Sequence, residues 1–407
     1  MIRHEKDSKG AAMKTNRMFF MLCMVTLSLA LSSCTVAHKT SGRETIFDRI
    51  VSIPDKFVLD IPQLPPLCDE IPGLKKGFVD IENGKLYYEE EGHGILLVLI
   101  NGGPGTTHHM FHPYFSRFKN SARVIYYDQR GTGLATSRDN TGRMYTLKQA
   151  IEDVESLRKA LNIDQWFVLG TSYGGFLAQC YALTYPEHVK GLILDSPFAG
   201  LKKAAMKDDR NQMFISPEEQ VAIKRVWTAK DAGKLTMAQA YYNATLAGDW
   251  KRSGYYKPTS EECIRHALYE WCPAPGFREL IFADYEGFEG LDGKFDDFEI
   301  PTLILEALWD LNWDTDKIEF MRKNHPHAQV EVFEKSGHGI FEDEPEKFFT
   351  VVKTFLEKVD KIHINYKPGN RLTWPKPPSD SELKKIMDKA LEDQHHATKE
   401  GQNNERN

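Results

Sequence analysis

Cysteine is scarce in this 407-residue chain: there are six, none in a C-x-x-C pair or at a metal-site spacing. That excludes a disulfide-built scaffold and a cysteine-ligated metal centre. A basic run is also missing, and the formal net charge is −6. Nothing in the chain tracks a phosphate backbone, so nucleic acid is set aside as a partner. There is no internal repeat. Gly131-Thr132-Gly133 follows an apolar run but has no third glycine and no dinucleotide context, so no cofactor is expected. What remains is ordinary for a globular protein with a large core: 41% hydrophobic and 27% charged residues.

The N-terminus departs from that average. Lys14 and Arg17 lead into MFFMLCMVTLSLALSSC, residues 18–34, an apolar run closing on small residues. It falls short of the roughly 20 apolar residues of a spanning helix and follows the order of a secretory signal, here residues 1–33, with Met13 as a second possible start. Leu31-Ser32-Ser33-Cys34 has the form of a lipobox, which predicts cleavage before Cys34 and lipidation of its sulfur. The expectation is an exported bacterial lipoprotein, held to a membrane on its periplasmic or cell-surface side. Of the remaining cysteines, Cys180 lies in an apolar stretch and reads as a small buried hydrophobe, and the exported setting permits a Cys263–Cys272 bridge.

Residues 34–75 are rich in proline and polar groups and read as a tether and approach segment. From 76 to 200 the chain alternates apolar runs of strand length (ILLVLI, RVIYYD, WFVLG, GLILD) with helical patterns, after a hairpin signal at Asn83-Gly84. This rhythm predicts an α/β fold, a mostly parallel sheet with helices on both faces. It stops over 201–296, a charged, aromatic and helix-like stretch read as an inserted helical cap. It resumes over 297–362, and residues 363–407 form a polar C-terminal tail with one helix near DSELKKIMDKALEDQ.

The chemistry concentrates at strand ends. Gly170-Thr171-Ser172-Tyr173-Gly174 fits G-x-S-x-G directly after an apolar strand and before a helix. A nucleophile on such a sharp turn needs small neighbours at ±2, and the helix N-terminus behind it faces the oxygen that becomes charged. Ser172 is therefore the predicted nucleophile. A serine needs a base and the base an orienter, in the chain order Ser, acid, His. His338, between glycines after the last strand, is the predicted base. Asp310, just past PTLILEAL, is the predicted acid; Asp314 and Asp316 compete but suit a helix cap equally, and Glu306 lies within the strand and reads as structural. NGGPG, residues 101–105, leaves the strand ILLVLI through glycines that bring backbone donors close to an oxyanion. Gly103 with the Tyr173 N–H forms the predicted oxyanion hole, and Gly102 lies next to it against the substrate. His108, His109 and His112 crowd one stretch with no evident acidic partner, so a loop rimming the site is expected and no metal.

The ordered set NGGPG, YYDQRGTGLATS, GTSYGGFLAQCYALTYPEHVKGLIL, WD and GHGIFEDEPE resembles the proline iminopeptidase family, serine aminopeptidases of the α/β-hydrolase fold, and also the tricorn-interacting aminopeptidases. The likeness covers about residues 78–200 and 297–358. Asn101 stands where the family motif usually has His, while Asp128-Gln129-Arg130-Gly131 matches its DQRG loop. The resemblance implies release of N-terminal proline from short peptides with a free N-terminus, through an acyl-enzyme, under a cap whose carboxylates hold the α-amino group. In this chain that points to Glu270, with Trp271 lining a pocket for the ring, while a solvated helix face explains Glu261 and Glu262 just as well. An esterase or amidase acting on small acyl substrates shares the fold and triad, and a tethered binding module on the same scaffold is the reading from outside catalysis.

Overall fold

The computed structural model describes residues 57–59, 72–137, 141–200, 215–249, 273–310, 317–362 and 372–391. The signal region, Cys34, Cys68, Cys263, Cys272, Glu261, Glu262, Glu270, Trp271, Asp314 and Asp316 lie outside the described residues. Its centre is a nine-stranded sheet in the order β1-β2-β4-β3-β6-β7-β8-β9, with the short β5 (Thr136–Ser137) beside β2. β1 (Lys75–Ile81) and β2 (Gly84–Gly92) form a hairpin whose loop is Glu82-Asn83, because Gly84 already pairs with Ile81. Asn83 takes the positive φ of 56° that such a tight loop demands.

From β4 onward every pairing is parallel: β4 (Ala122–Tyr127), β3 (Ile95–Ile100), β6 (Trp166–Thr171), β7 (Val189–Asp195), β8 (Thr302–Ala307) and β9 (Gln329–Phe333). Unbroken apolar runs suit these strands because both faces are covered. Val98 and Ile100 of β3 face a core with α1 (Leu147–Ala160) and α2 (Tyr173–Thr184), whereas Leu97 and Leu99 face Phe111, Phe115 and Phe118 with Phe348 and Val352 further along the chain. The chain turns from β3 to β4 on one side and places β6 on the other. The strand order therefore reverses at β3 and β6, where such sheets open a crevice at their carboxyl ends.

Between β7 and β8 the described residues include three α-helices, α3 (Pro217–Asp231), α4 (Met237–Ala244) and α5 (Phe277–Gly287). Ser216 with Glu219 and Thr236 with Gln239 close reciprocal caps that start the first two helices. Val226, Ala229, Leu235, Ala240 and Ala244 form a small core of their own. The third helix instead joins the main core through Phe277, Leu280 and Ile281, and its Asp284 accepts the Leu147 N–H at 2.8 Å. After β8 come α6 (Lys317–Asn324), then, beyond β9, α7 (Ile340–Asp343) and α8 (Pro345–Val359). Part of the polar tail is built in: Leu372 and Leu383 are buried in the main core, and a helix runs over residues 380–391. Cys180 is a free, buried thiol, and among the described residues no helix is long and apolar enough to cross a membrane.

One core group links the fold to pH. His325 stacks on Phe295 at 4.1 Å, its Nε2 lies 3.0 Å from Gln179 Oε1, and burial pushes its pKa down to about 3. Between about pH 6.5 and that value the unfolded chain binds a proton that the folded imidazole declines, so stability falls as pH falls through the window. One such group contributes a slope of about 1.4 kcal/mol per pH unit. Urea unfolding between pH 6 and 4 is expected to show a shallower loss for His325→Gln than for the parent, by up to one proton. Equal slopes would mean that His325 charges within the fold.

Candidate active site

Ser172 follows β6 at φ 57°, ψ −121°, a left-handed conformation costly for a side-chain-bearing residue. The turn is held by its neighbours. The Ser172 N–H donates to the Asp195 carbonyl at 3.0 Å, and the Ser172 carbonyl accepts from Gly175 and Phe198. The motif glycines are required by close approach: a Cβ on Gly170 would stand 2.2 Å from the Gly174 carbonyl oxygen, and one on Gly174 would stand 2.1 Å from that of Ile100. Strand and helix can meet this tightly only with no side chain there. Tyr173 then opens α2, where a first-turn N–H has no acceptor within its own helix.

Asp310 and His338 come together. His338 Nδ1 lies 2.8 Å from Asp310 Oδ2, with the Asp310 side chain 2% exposed and His338 21%. Backbone hydrogen bonds lace the strand ends into one edge: Ser172 to Asp195, Ser196 to Leu305, Leu308 to Phe333 and Trp309 to Ser336. The His338 loop is tied again where the Gly337 N–H donates to Asp343 and the Ser336 hydroxyl to Glu344. The three residues singled out by sequence thus sit just beyond the carboxyl ends of β6, β8 and β9 in the parallel part of the sheet.

The NGGPG loop lies against the serine. A Cβ on Gly102 would come within 3.1 Å of Ser172 Cβ and 3.8 Å of its Oγ, so a side chain there would crowd the hydroxyl. Gly103 takes φ 112°, open only to glycine at low cost. The Gly102 N–H points to Met110 Sδ at 3.4 Å, which favours Gly103 as the donor facing a substrate oxygen. Asn101, fully buried, spends its side-chain amide on Thr106, and its carbonyl accepts from Gln129 at 2.7 Å. Asn101 therefore locks the loop to itself and to the DQRG segment. In that segment Arg130 makes a two-pronged pair with buried Asp153 of α1, at 2.8 and 2.7 Å.

The histidine cluster corrects the sequence reading. His108 and His112 are fully buried rather than rimming the site, within and beside a short 3-10 turn. Acidic partners exist: His108 Nδ1 is 2.7 Å from Asp128 Oδ1, and His112 Nε2 is 3.0 Å from Glu89 Oε2. Burial by itself raises the Glu89 carboxyl, but hydrogen bonds from His108, His112 and Tyr87 outweigh it and hold the group well below the usual range. The carboxylates come from β2 and from the end of β4, too far along the chain for local spacing to reveal. Among the described residues no group of side chains is arranged to hold a metal ion.

Sequence reasoning also missed polar groups behind the site. Asp195 ends β7 fully buried, with one carboxylate oxygen accepting the Thr171 hydroxyl at 2.9 Å. Burial pushes its pKa up to about 7, Asp310 adds to the rise, and the Thr171 bond, His338 and Lys317 oppose it. Glu306 is also raised by burial, against the pull of Lys317. In the sequence the acidic residue closing GLILD and the structural reading of Glu306 were the hints of this cluster.

With the geometry described, comparison with known proteins is direct. The model of the alpha/beta hydrolase fold family matches residues 95–345. A proline iminopeptidase from Clostridium botulinum is 30% identical over 296 residues, covering 70% of this chain and 99% of that protein. A cis-3-alkyl-4-alkyloxetan-2-one decarboxylase from Shewanella oneidensis is 25% identical over 325 residues, 75% of this chain and 96% of that one. Among solved structures, an esterase from Exiguobacterium antarcticum superposes with a TM-score of 0.53 at 23% identity, covering 69% of this chain and 98% of the other, which speaks to the fold alone.

Proposed function

The chain belongs to the α/β-hydrolase fold family, and on that premise we propose that it is a serine aminopeptidase releasing N-terminal proline from short peptides. The reading is carried by the 2.8 Å contact of His338 Nδ1 with Asp310 Oδ2, in loops laced to the strained Ser172 turn. The iminopeptidase relatives support the narrower choice of substrate.

In this mechanism Ser172 Oγ attacks the scissile carbonyl and its proton passes to His338 Nε2. Asp310 keeps the other ring nitrogen protonated and favours the imidazolium. The carbonyl oxygen, now negative, takes the N–H groups of Tyr173 and Gly103. Collapse breaks the C–N bond, and the His338 proton leaves with the amine. Water, deprotonated by the same imidazole, then releases the acyl group from Ser172. A carboxylate such as Glu270 holds the substrate's α-ammonium beside Trp271, and lipid on Cys34 tethers the enzyme to its membrane.

The assay is direct: the purified protein against prolyl, alanyl and leucyl anilides, with N-acetyl-prolyl anilide and p-nitrophenyl acetate alongside. Turnover of the free prolyl compound and none of the acetylated one is the expected result. Ester turnover without anilide cleavage would move the assignment to an esterase and leave the triad standing.

A further inference from the structure

Behind the Asp310–His338 pair lies a buried charge cluster that the mechanism above does not use. Glu306, one residue from the end of β8, has a side chain 1% exposed, and Lys317, which opens α6, one 8% exposed. Lys317 Nζ stands 2.9 Å from Glu306 Oε2, an ion pair rather than a well-aimed hydrogen bond. It also stands 3.7 Å from Asp310 Oδ2, the same oxygen that faces His338 Nδ1 at 2.8 Å. An ammonium taken to this depth gives up much of its hydration, and starting a helix does not require one.

We infer that Lys317 is a positioning residue of the triad: anchored on Glu306, its ammonium competes with His338 for Asp310 and so sets the basicity of the imidazole. The inference rests on the reading of Ser172, His338 and Asp310 as a catalytic set. Among the described residues, the charged groups facing the cluster are Asp195 from β7, Glu306 from β8 and Lys317 from α6. Beyond His338 stands Asp343 of α7, taken by the Gly337 N–H at 2.8 Å. Burial resists negative charge on both Asp195 and Glu306. Among the described residues Lys317 sets the one positive charge beside these carboxylates, 3.7 Å from the Asp310 oxygen that faces His338. The same cation stands against positive charge developing on the ring across that shared oxygen.

Fluorophosphonate modification of Ser172 reports the neutral imidazole without requiring knowledge of the substrate. Its rate is measured against pH for the parent, K317R, K317M and K317M/E306Q. K317R keeps the cation and is expected to keep the acid limb of the parent. Removing a positive charge stabilises the imidazolium, so K317M moves that limb upward by about one pH unit, roughly a tenfold slower reaction below it. The double variant removes Glu306 together with its cation, which protects the fold; losing that carboxylate offsets part of the effect on the imidazolium, so its limb falls between those of the parent and K317M. A K317M limb that overlays those of K317R and the parent overturns the inference. A parent that is never labelled at any pH instead removes the triad reading beneath it.

Discussion

Ser172→Ala is expected to lower kcat about 10⁴-fold or more while leaving the fold intact. The two halves of that expectation have separate physical origins. Ser172 already carries a Cβ at φ 57°, so alanine adds no new clash to the strained turn. The backbone bonds that hold the turn run through the amide and carbonyl of residue 172, which the substitution leaves untouched. The melting temperature should therefore stay within a degree or two, on the ordinary scale of a substitution that creates no cavity. The rate, by contrast, loses its only covalent step. What remains is catalysis by bound water, with the oxyanion donors and the acid–imidazole pair still in place. The measurement is kcat on whichever substrate the parent turns over, with intact-protein mass after fluorophosphonate treatment. Loss of both rate and adduct at unchanged melting temperature is the predicted pattern; a variant keeping a tenth of the parent rate would place the nucleophile elsewhere.

The parts of this molecule legible in sequence share a property: each is specified by neighbours in the chain. ILLVLI, WFVLG and GLILD read as parallel strands because burial on both faces demands continuous apolar runs. The elbow was legible because the motif lies within five residues of chain, where Gly170 answers to the Gly174 carbonyl; that Gly174 in turn answers to Ile100 of β3 shows only in the fold. Asp310 and His338, 28 residues apart, were still within reach, since each lies just past a recognisable strand. Glu89 with His112, Asp128 with His108, and Lys317 with Glu306 were not. Each is a partnership between elements whose register is set by the whole sheet, and a buried charge looks like any surface charge until its partner is in view. Leu372 and Leu383 were hidden for a related reason. Leu372 stands alone in a polar stretch, and Leu383 with Ile386 and Met387 reads as one face of a short helix with nothing nearby to name what covers it, yet the main core takes both leucines.

Asp310→Asn tests the choice among nearby acids more sharply than any other single change, and kcat is expected to drop about 10⁴-fold. Asparagine keeps the shape of the side chain, but its amide can present an N–H where the carboxylate presented an acceptor. Facing His338 Nδ1 at 2.8 Å, that N–H favours the ring tautomer with its proton on Nε2. Nε2 is the nitrogen that must be bare to take the serine proton, so the variant holds the base in the wrong form and also removes the charge that favours the imidazolium. Stability should change far less than rate, because Lys317 keeps Glu306 at 2.9 Å and is not left as an unpaired buried cation. Binding of a substrate-like inhibitor should likewise survive, with the loss confined to kcat and to the rate of serine labelling. The alternative acids give a different signature. Asp195 is fully buried with one oxygen on the Thr171 hydroxyl, so Asp195→Asn retains that bond and removes a charge that acts on His338 only through space, and a modest change in rate is expected there. Were the two variants to exchange places, with Asp310→Asn nearly as active as the parent, the orienting acid would be one that reaches His338 by another route. The 2.8 Å contact would then be a structural tie and no part of the catalytic machinery.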